Sequence, residues 1–186
     1  MSGDFRPCIV IPCLDGEGSI GAVVRGAVAQ GYPVFVIDDG STDKTVEEAE
    51  ASGAQVVRHP VNQGKGAALL SGLKTAAASD FTHVVTLDAD GQHNPSEIPA
   101  LVAASKAQPN AIVIGARDFE TDNVPGSSKF GRNFSNFWVR LWTGHNPSDT
   151  QSGFRVYPAS LTTQLQVKPS HFEWEVEVLV RAGWAG

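Results

Sequence analysis

Two acidic clusters hold the residue types from which this chain could build a reactive site. Asp38-Asp39-Gly40-Ser41-Thr42-Asp43 and Asp88-Ala89-Asp90-Gly91-Gln92 each follow directly on a short apolar run. In an Asp-x-Asp placed in a turn after a strand, both carboxylates can converge on one cation, and Gln92 adds a neutral oxygen two residues on. Hard oxygen donors of this kind suit Mg²⁺ or Mn²⁺, which keep positions open for water and for substrate phosphates. The chemistry implied is departure of a phosphate-type leaving group. A lone Asp-x-Asp is usually a solvated acidic turn, so the pair needs its surroundings before it means anything.

The surroundings begin with the apolar runs. Val34-Phe35-Val36-Ile37 leads into the first cluster and Val84-Val85-Thr86-Leu87 into the second, and neither alternates polar with apolar residues. That pattern predicts strands buried on both faces of a mostly parallel sheet. In open parallel sheets ligands sit beyond the carboxyl ends of the strands, which is where both clusters fall. A first strand is predicted over residues 8–11 and a helix over 19–30; a short strand over 55–58 precedes a helix of small residues, 64–78, able to pack closely on the sheet. Residues 83–87 read as the central strand, Pro95 suits the first turn of a helix to about Ala107, and 111–115 form a fifth strand. Ser41 or Thr42 is expected to cap the helix that runs to about Ser52. Beyond Gly126 the alternation weakens: 128–142 looks helical, 144–149 is loop and 153–157 is strand-like. The run 173–178 alternates charged with apolar residues as a strand does, while the residues after it permit a helix, so both readings stay open.

Composition narrows the class. A chain of 186 residues reads as one domain, 1–186, with mass enough for a single core. Hydrophobic residues at 41% and charged residues at 18% are globular values, and no apolar stretch approaches the ~20 residues that span a bilayer. The first four residues lack the basic and apolar regions of a secretion signal, so a cytoplasmic location is expected. Cys8 and Cys13 have neither metal-ligand nor redox spacing and read as buried, reduced thiols. A net charge of −6 with no Lys/Arg stripe argues against a nucleic-acid surface. An acidic protein that holds a diphosphate needs a cation as intermediary.

Further stretches join the two clusters in a consistent order. Val10-Ile11-Pro12, Val36 to Thr45, Asn62-Gln63-Gly64-Lys65-Gly66-Ala67-Ala68, Leu87 to His93, Gly115-Ala116-Arg117 and Asp149-Thr150-Gln151-Ser152-Gly153-Phe154-Arg155 resemble the motifs of family 2 glycosyltransferases. Within that family the chain is similar to dolichol-phosphate mannosyltransferase and its bacterial polyprenyl-phosphate relatives. The resemblance implies a GT-A fold, a Rossmann-like three-layer sandwich with a mostly parallel central sheet. It implies that Pro12, Leu14 and Glu17 after the first strand, with Asp38 and Asp39, line the nucleotide. Asp88 and Ala89 would lie near the ribose, and Asp88, Asp90 and Gln92 would hold the metal. Arg117 and Arg132 resemble the arginines that approach the donor diphosphate and the acceptor phosphate. One departure stands out: the family has Asn-Glu two positions after a Tyr-like residue in its first loop. Here Leu14-Asp15-Gly16-Glu17 displaces the glutamate by one place, which puts base contacts from Glu17 in doubt. Asn62 to Gly66 would be a backbone turn leading into a helix near the donor. It is not a Walker loop, because the four residues between a first glycine and the Gly-Lys are absent.

The expected reaction is inverting transfer of a sugar from a UDP- or GDP-linked donor, with Mg²⁺ or Mn²⁺, to a polyprenyl or dolichyl phosphate. A phosphate acceptor needs no base, since its second pKa is about 6. A glycan or lipid hydroxyl would need one, for which Asp149 is the candidate, with Glu173 or Glu175 behind it. A nucleotidyltransferase would carry a Gly-rich loop with Arg and Lys that residues 12–20 do not supply, and a non-catalytic nucleotide-binding domain of a larger protein would not need the full set of acids and arginines. Residues 183–186 stop where the resembled family continues with further strand and often a membrane-associated segment. The chain is therefore expected to be truncated at its C-terminus, with peripheral contact at the inner face of the cytoplasmic membrane made through segments absent from it.

The two arginine roles make opposite predictions. Arg117→Ala should weaken binding of the free nucleoside diphosphate together with turnover. Arg132→Ala should leave nucleotide affinity nearly unchanged, measured by calorimetry, and impair transfer to a phosphate acceptor; the reverse pattern would exchange the roles.

Overall fold

The apolar runs that lead into the acidic clusters form strands, and the stretches between them form helices that cover both faces of one sheet. A computed structural model of the protein describes residues 5–116, 149, 152–161 and 174–185. In chain order the elements are β1 (Pro7–Cys13), α1 (Ile20–Val28), β2 (Val34–Asp38), α2 (Thr45–Ala51), β3 (Gln55–Arg58), α3 (Lys65–Ala78) and β4 (His83–Thr86). A 3₁₀ turn (Pro95–Glu97), α4 (Ile98–Ala107), β5 (Val113–Ile114), β6 (Arg155–Pro158) and α5 (Trp174–Ala185) follow. The sheet order is β3-β2-β1-β4-β6-β5. β1 pairs in parallel with β2 and β4, and β2 with β3, whereas β6 runs antiparallel between β4 and β5. The mostly parallel α/β sandwich expected from the sequence is the one that forms.

Successive side chains of a strand point to opposite faces, so each buried strand feeds two cores. Ile9, Ile11, Val34, Val36 and Val85 pack on one face against Ile20 and Val24 of α1 and Ile98 of α4. Cys8, Val10, Phe35, Ile37 and Val84 pack on the other against Leu69 and Leu73 of α3 and Trp174 of α5. Cys13 lies beside Asp38 in the β1–β2 register, so the carboxyl ends of these strands share one edge. Cys8 and Cys13 are buried free thiols, and burial pushes both up to about 12. Among the described residues, no helix is long and apolar enough to cross a membrane.

One local reading changes and one open reading is decided. Neither Ser41 nor Thr42 caps the helix after β2, because the Ser41 hydroxyl accepts from the backbone N–H of Asp15 at 2.8 Å. α2 starts at Thr45, whose N–H donates to Asp43 Oδ1 at 3.0 Å and whose hydroxyl donates to the same oxygen. At the carboxyl end the helix prevails over the strand. Trp174 and Val178, four residues apart, are buried in one cluster, which is a helical period, and Arg181 reaches back one turn to Glu177 at 2.7 Å. The helix and loop expected over 128–142 and 144–148 lie outside the described residues.

α3 lies against the sheet through its small residues. A Cβ on Gly72 would run into the Val10 side chain of β1 and approach Ile37 of β2. Gly72→Ala should therefore lower stability by a net of up to about 2 kcal/mol in urea unfolding. Overlap costs about 1–3 kcal/mol, against a gain of ~1 kcal/mol for alanine over glycine inside a helix. A stabilised variant would show that α3 does not sit this close.

Candidate functional site

β4 passes through Leu87 into Asp88, the first residue of the second acidic cluster to leave the buried sheet. Its carboxylate is half-buried and held from two sides: Lys65 Nζ stands 2.7 Å from Oδ1, and His93 Nε2 3.8 Å from Oδ2. Burial alone would raise the Asp88 pKa, but the nearby His93 and the Lys65 ammonium outweigh it and hold the carboxyl well below its usual range. The neighbouring strand is shaped to admit this carboxylate. A Cβ on Gly153 would collide with it, and Thr86 fixes that backbone by donating its hydroxyl to Gly153 O at 2.7 Å. Ala89 is half-buried, while Asp90 and Gln92 are exposed at the turn, with the Gln92 N–H donating to Asp90 Oδ1 at 2.9 Å.

The first cluster is more thoroughly engaged. Asp38 is fully buried at the end of β2; its Oδ1 accepts from Ser41 N at 3.2 Å, and its Oδ2 is 3.2 Å from Arg58 Nε but not aligned for a hydrogen bond. Asp39 accepts from Gln63 N at 3.0 Å and Gly64 N at 2.7 Å, and its Oδ1 lies 2.7 Å from His59 Nδ1. It thereby holds the turn that opens α3. Pro12 is buried within β1, and Leu14 is exposed just beyond it. Glu17 turns away toward α2: its carboxylate accepts from Lys44 N at 3.4 Å, and its own N–H donates to Asp43.

The carboxyl-terminal segments close the far side. Arg155 of β6 is fully buried and donates to Ser152 O at 2.7 Å, to Glu175 O at 2.9 Å and to the Tyr157 hydroxyl at 3.2 Å. Burial opposes its charge, yet Tyr157, Glu175 and the buried Asp149 around it push its pKa above the ordinary value. Glu175 lies 3.5 Å from Lys65, the same ammonium that touches Asp88. Arg117, Arg132 and Glu173 lie outside the described residues.

Lys65 is the site residue that reading the motif as a backbone turn passes over. A signal was present, because a lysine as the first residue of a helix opposes the helix dipole. Such a lysine needs acids nearby, and Asp88 and Glu175 supply them. Despite burial, those two carboxylates raise its pKa.

The donors at this edge fit a hard divalent cation. Asp90 presents an exposed carboxylate and Asp88 an ionised one two residues away. Among the described residues no group of three or more His, Cys, Asp or Glu forms a protein cage. A pair of carboxylates suits Mg²⁺ or Mn²⁺, whose remaining positions go to water and phosphate oxygens.

Comparison with known proteins places this geometry. Residues 8–163 match the model of glycosyl transferase family 2. A UDP-N-acetylglucosamine–dolichyl-phosphate N-acetylglucosaminyltransferase of Methanococcus voltae is 29% identical over 197 residues, covering 94% of this chain and 78% of its own. An undecaprenyl-phosphate mannosyltransferase of Micrococcus luteus is 26% identical over 174 residues, covering 88% of this chain and 70% of its own. Among solved structures, glucosyl-3-phosphoglycerate synthase of Mycobacterium tuberculosis, in complex with Mn²⁺, UDP and phosphoglyceric acid, superposes with a TM-score of 0.74 at 27% identity. That likeness covers 94% of this chain, which spans 62% of the synthase. The chain belongs to glycosyl transferase family 2, on the GT-A fold, and is similar to its polyprenyl-phosphate members.

Proposed function

We propose that the protein moves a sugar, with inversion, from a UDP- or GDP-linked donor to a polyprenyl or dolichyl phosphate, using Mg²⁺ or Mn²⁺. The observation that carries this reading is Asp88, kept ionised at the carboxyl edge of the sheet with exposed Asp90 two residues on. Asp88 and Asp90, with Gln92 beside them, would hold the cation. When bound, it supplies positive charge to the oxygens of the departing diphosphate. Leu14, exposed at the end of β1, meets the nucleotide base in this reading, while Asp38 and Asp39 shape the same wall through Arg58 and the turn before α3. Arg117 steadies the leaving diphosphate and Arg132 the acceptor.

The buried carboxylates favour a phosphate acceptor. Asp149 stands near the buried Arg155 and Glu175 beside Lys65, so each described candidate base already has a cation beside it. A phosphate monoester, with its second pKa of about 6, is already ionised and attacks the sugar C1 unaided. The C1–O bond to the diphosphate breaks as the new bond forms, which inverts C1. The relatives of Methanococcus voltae and Micrococcus luteus, named for dolichyl-phosphate and undecaprenyl-phosphate transfer, support this choice. Contact with the membrane face that carries the lipid belongs to the same reading.

UDP- or GDP-sugars should raise the melting temperature when Mg²⁺ or Mn²⁺ is present and not in EDTA, since a ligand that binds only the folded state stabilises it by mass action. Asp90→Asn should remove most of that shift and leave the ligand-free stability within about 0.5 kcal/mol of wild type, as exposed surface positions do. Equal shifts in EDTA would overturn the metal assignment. Label transfer to polyprenyl phosphate but not to the free prenol is expected, and preference for the prenol would sink the phosphate acceptor.

A further inference from the structure

Lys65 stands between two carboxylates that belong to different parts of the molecule. Its ammonium is 2.7 Å from Asp88 Oδ1 at the end of β4 and 3.5 Å from Glu175 Oε1 in the first turn of α5. Both the Lys65 and Asp88 side chains are one-quarter exposed, whereas the Glu175 side chain is 9% exposed. One seat of the ammonium therefore faces the site edge and the other faces the interior. The acid on the site side is also the one that would share a divalent cation with Asp90.

We propose that Lys65 is a built-in counter-cation of the donor site, which a divalent metal displaces from Asp88 and which Glu175 then receives. The inference rests on the reading of Asp88 and Asp90 as metal ligands. Two cations cannot share Asp88 Oδ1 at contact distance without strong repulsion. A lysine suits the exchange, because its compact ammonium rides on a flexible four-carbon stem, unlike the fixed fork of arginine. The move is short, since the ammonium already lies within ion-pair distance of Glu175. Without Glu175 the displaced charge would be left in a largely buried place with no partner, which is costly. Glu175 is thus a positioning residue that acts on the metal through Lys65, and touches neither metal nor substrate. His93, on the other oxygen of Asp88, keeps the carboxylate oriented while its first oxygen changes partner.

Manganese binding itself reads this out. Free Mn²⁺ is followed by its paramagnetic resonance signal as protein is titrated, with UDP absent and then present, beside a melting curve for each variant. Glu175→Gln should weaken Mn²⁺ binding about threefold to tenfold, because Lys65 keeps only the Asp88 seat. Lys65→Met with Glu175→Gln removes both charges together, leaves Asp88 with His93 at 3.8 Å, and should bind Mn²⁺ about tenfold more tightly than wild type, the scale of one charge-assisted hydrogen bond released. Adding Asp88→Asn to that pair should abolish the gain. Lys65→Met alone risks the fold by stranding Glu175, so the paired substitution is the deciding one. Mn²⁺ affinity equal to wild type in the paired variant, with only melting temperatures changed, would reduce the cluster to a structural ion pair and overturn the proposal. UDP binding that ignores Mn²⁺ in wild type and paired variant alike would overturn the metal reading itself, which is a different failure.

Discussion

A carboxylate buried at the end of a strand must bring a cation with it, because an unpaired charge in the interior costs several kcal/mol. Much of this fold's carboxyl edge follows from that requirement. Asp38 at the end of β2 draws Arg58 from the end of β3, and Asp39 engages His59 just beyond it. Asp88 after β4 draws Lys65 from the start of α3 and His93 from the loop that follows. Arg155, a fully buried guanidinium, answers the same rule from the other side, with backbone carbonyls and the acids of segments far apart in sequence around it. Charge pairing thus decides which loops meet at the edge.

The same edge is stitched by neutral contacts that set what the loops can do. After β1, the backbone N–H groups of Asp15, Gly16, Glu17 and Gly18 donate in turn to Ser41, Thr45, Asp43 and Glu48. Each side-chain acceptor lies in or just before α2, so the first loop is laid against the start of that helix residue by residue. This explains why Ser41 does not cap α2 and why Glu17 faces Lys44. The displaced glutamate of the sequence is therefore not surplus; it closes a ladder between two loops. Asp39 does comparable work for the turn before α3, where Gln63 and Gly64 donate to it. The acid at the middle of the first cluster positions Lys65, and through it Asp88.

A site built in this way has its electrostatics shared among elements. α3 contributes a cation at a helix start, β4 an acid just past its end, the segment leading into β6 a glycine that leaves room for that acid, and α5 a second acid in its first turn. No single element holds the carboxylate of Asp88 in its ionised form. The exposed Asp90 needs no such support, because water solvates it directly. Two acids two positions apart thus have different environments, one carboxylate held by neighbours and one open to water.

The strands, their parallel run and the placing of both acidic clusters at one edge were legible in the sequence, since short non-alternating runs followed by helical stretches suit strands buried on both faces of a parallel sheet. The small residues of α3 likewise announced close packing, and Gly72 against Val10 shows how close. What the sequence could not determine was anything that depends on partners distant along the chain. The period of two over 173–178 suggested a strand, and only the burial of Trp174 and Val178 in one cluster selected the helix. The antiparallel insertion of β6 between β4 and β5 leaves no local trace, because direction in a sheet is set by connections and not by side chains. Lys65 between Asp88 and Glu175, 23 and 110 positions away in the chain, is the clearest case. Coulomb attraction acts on distance in space, and that distance exists only once the tertiary structure has closed.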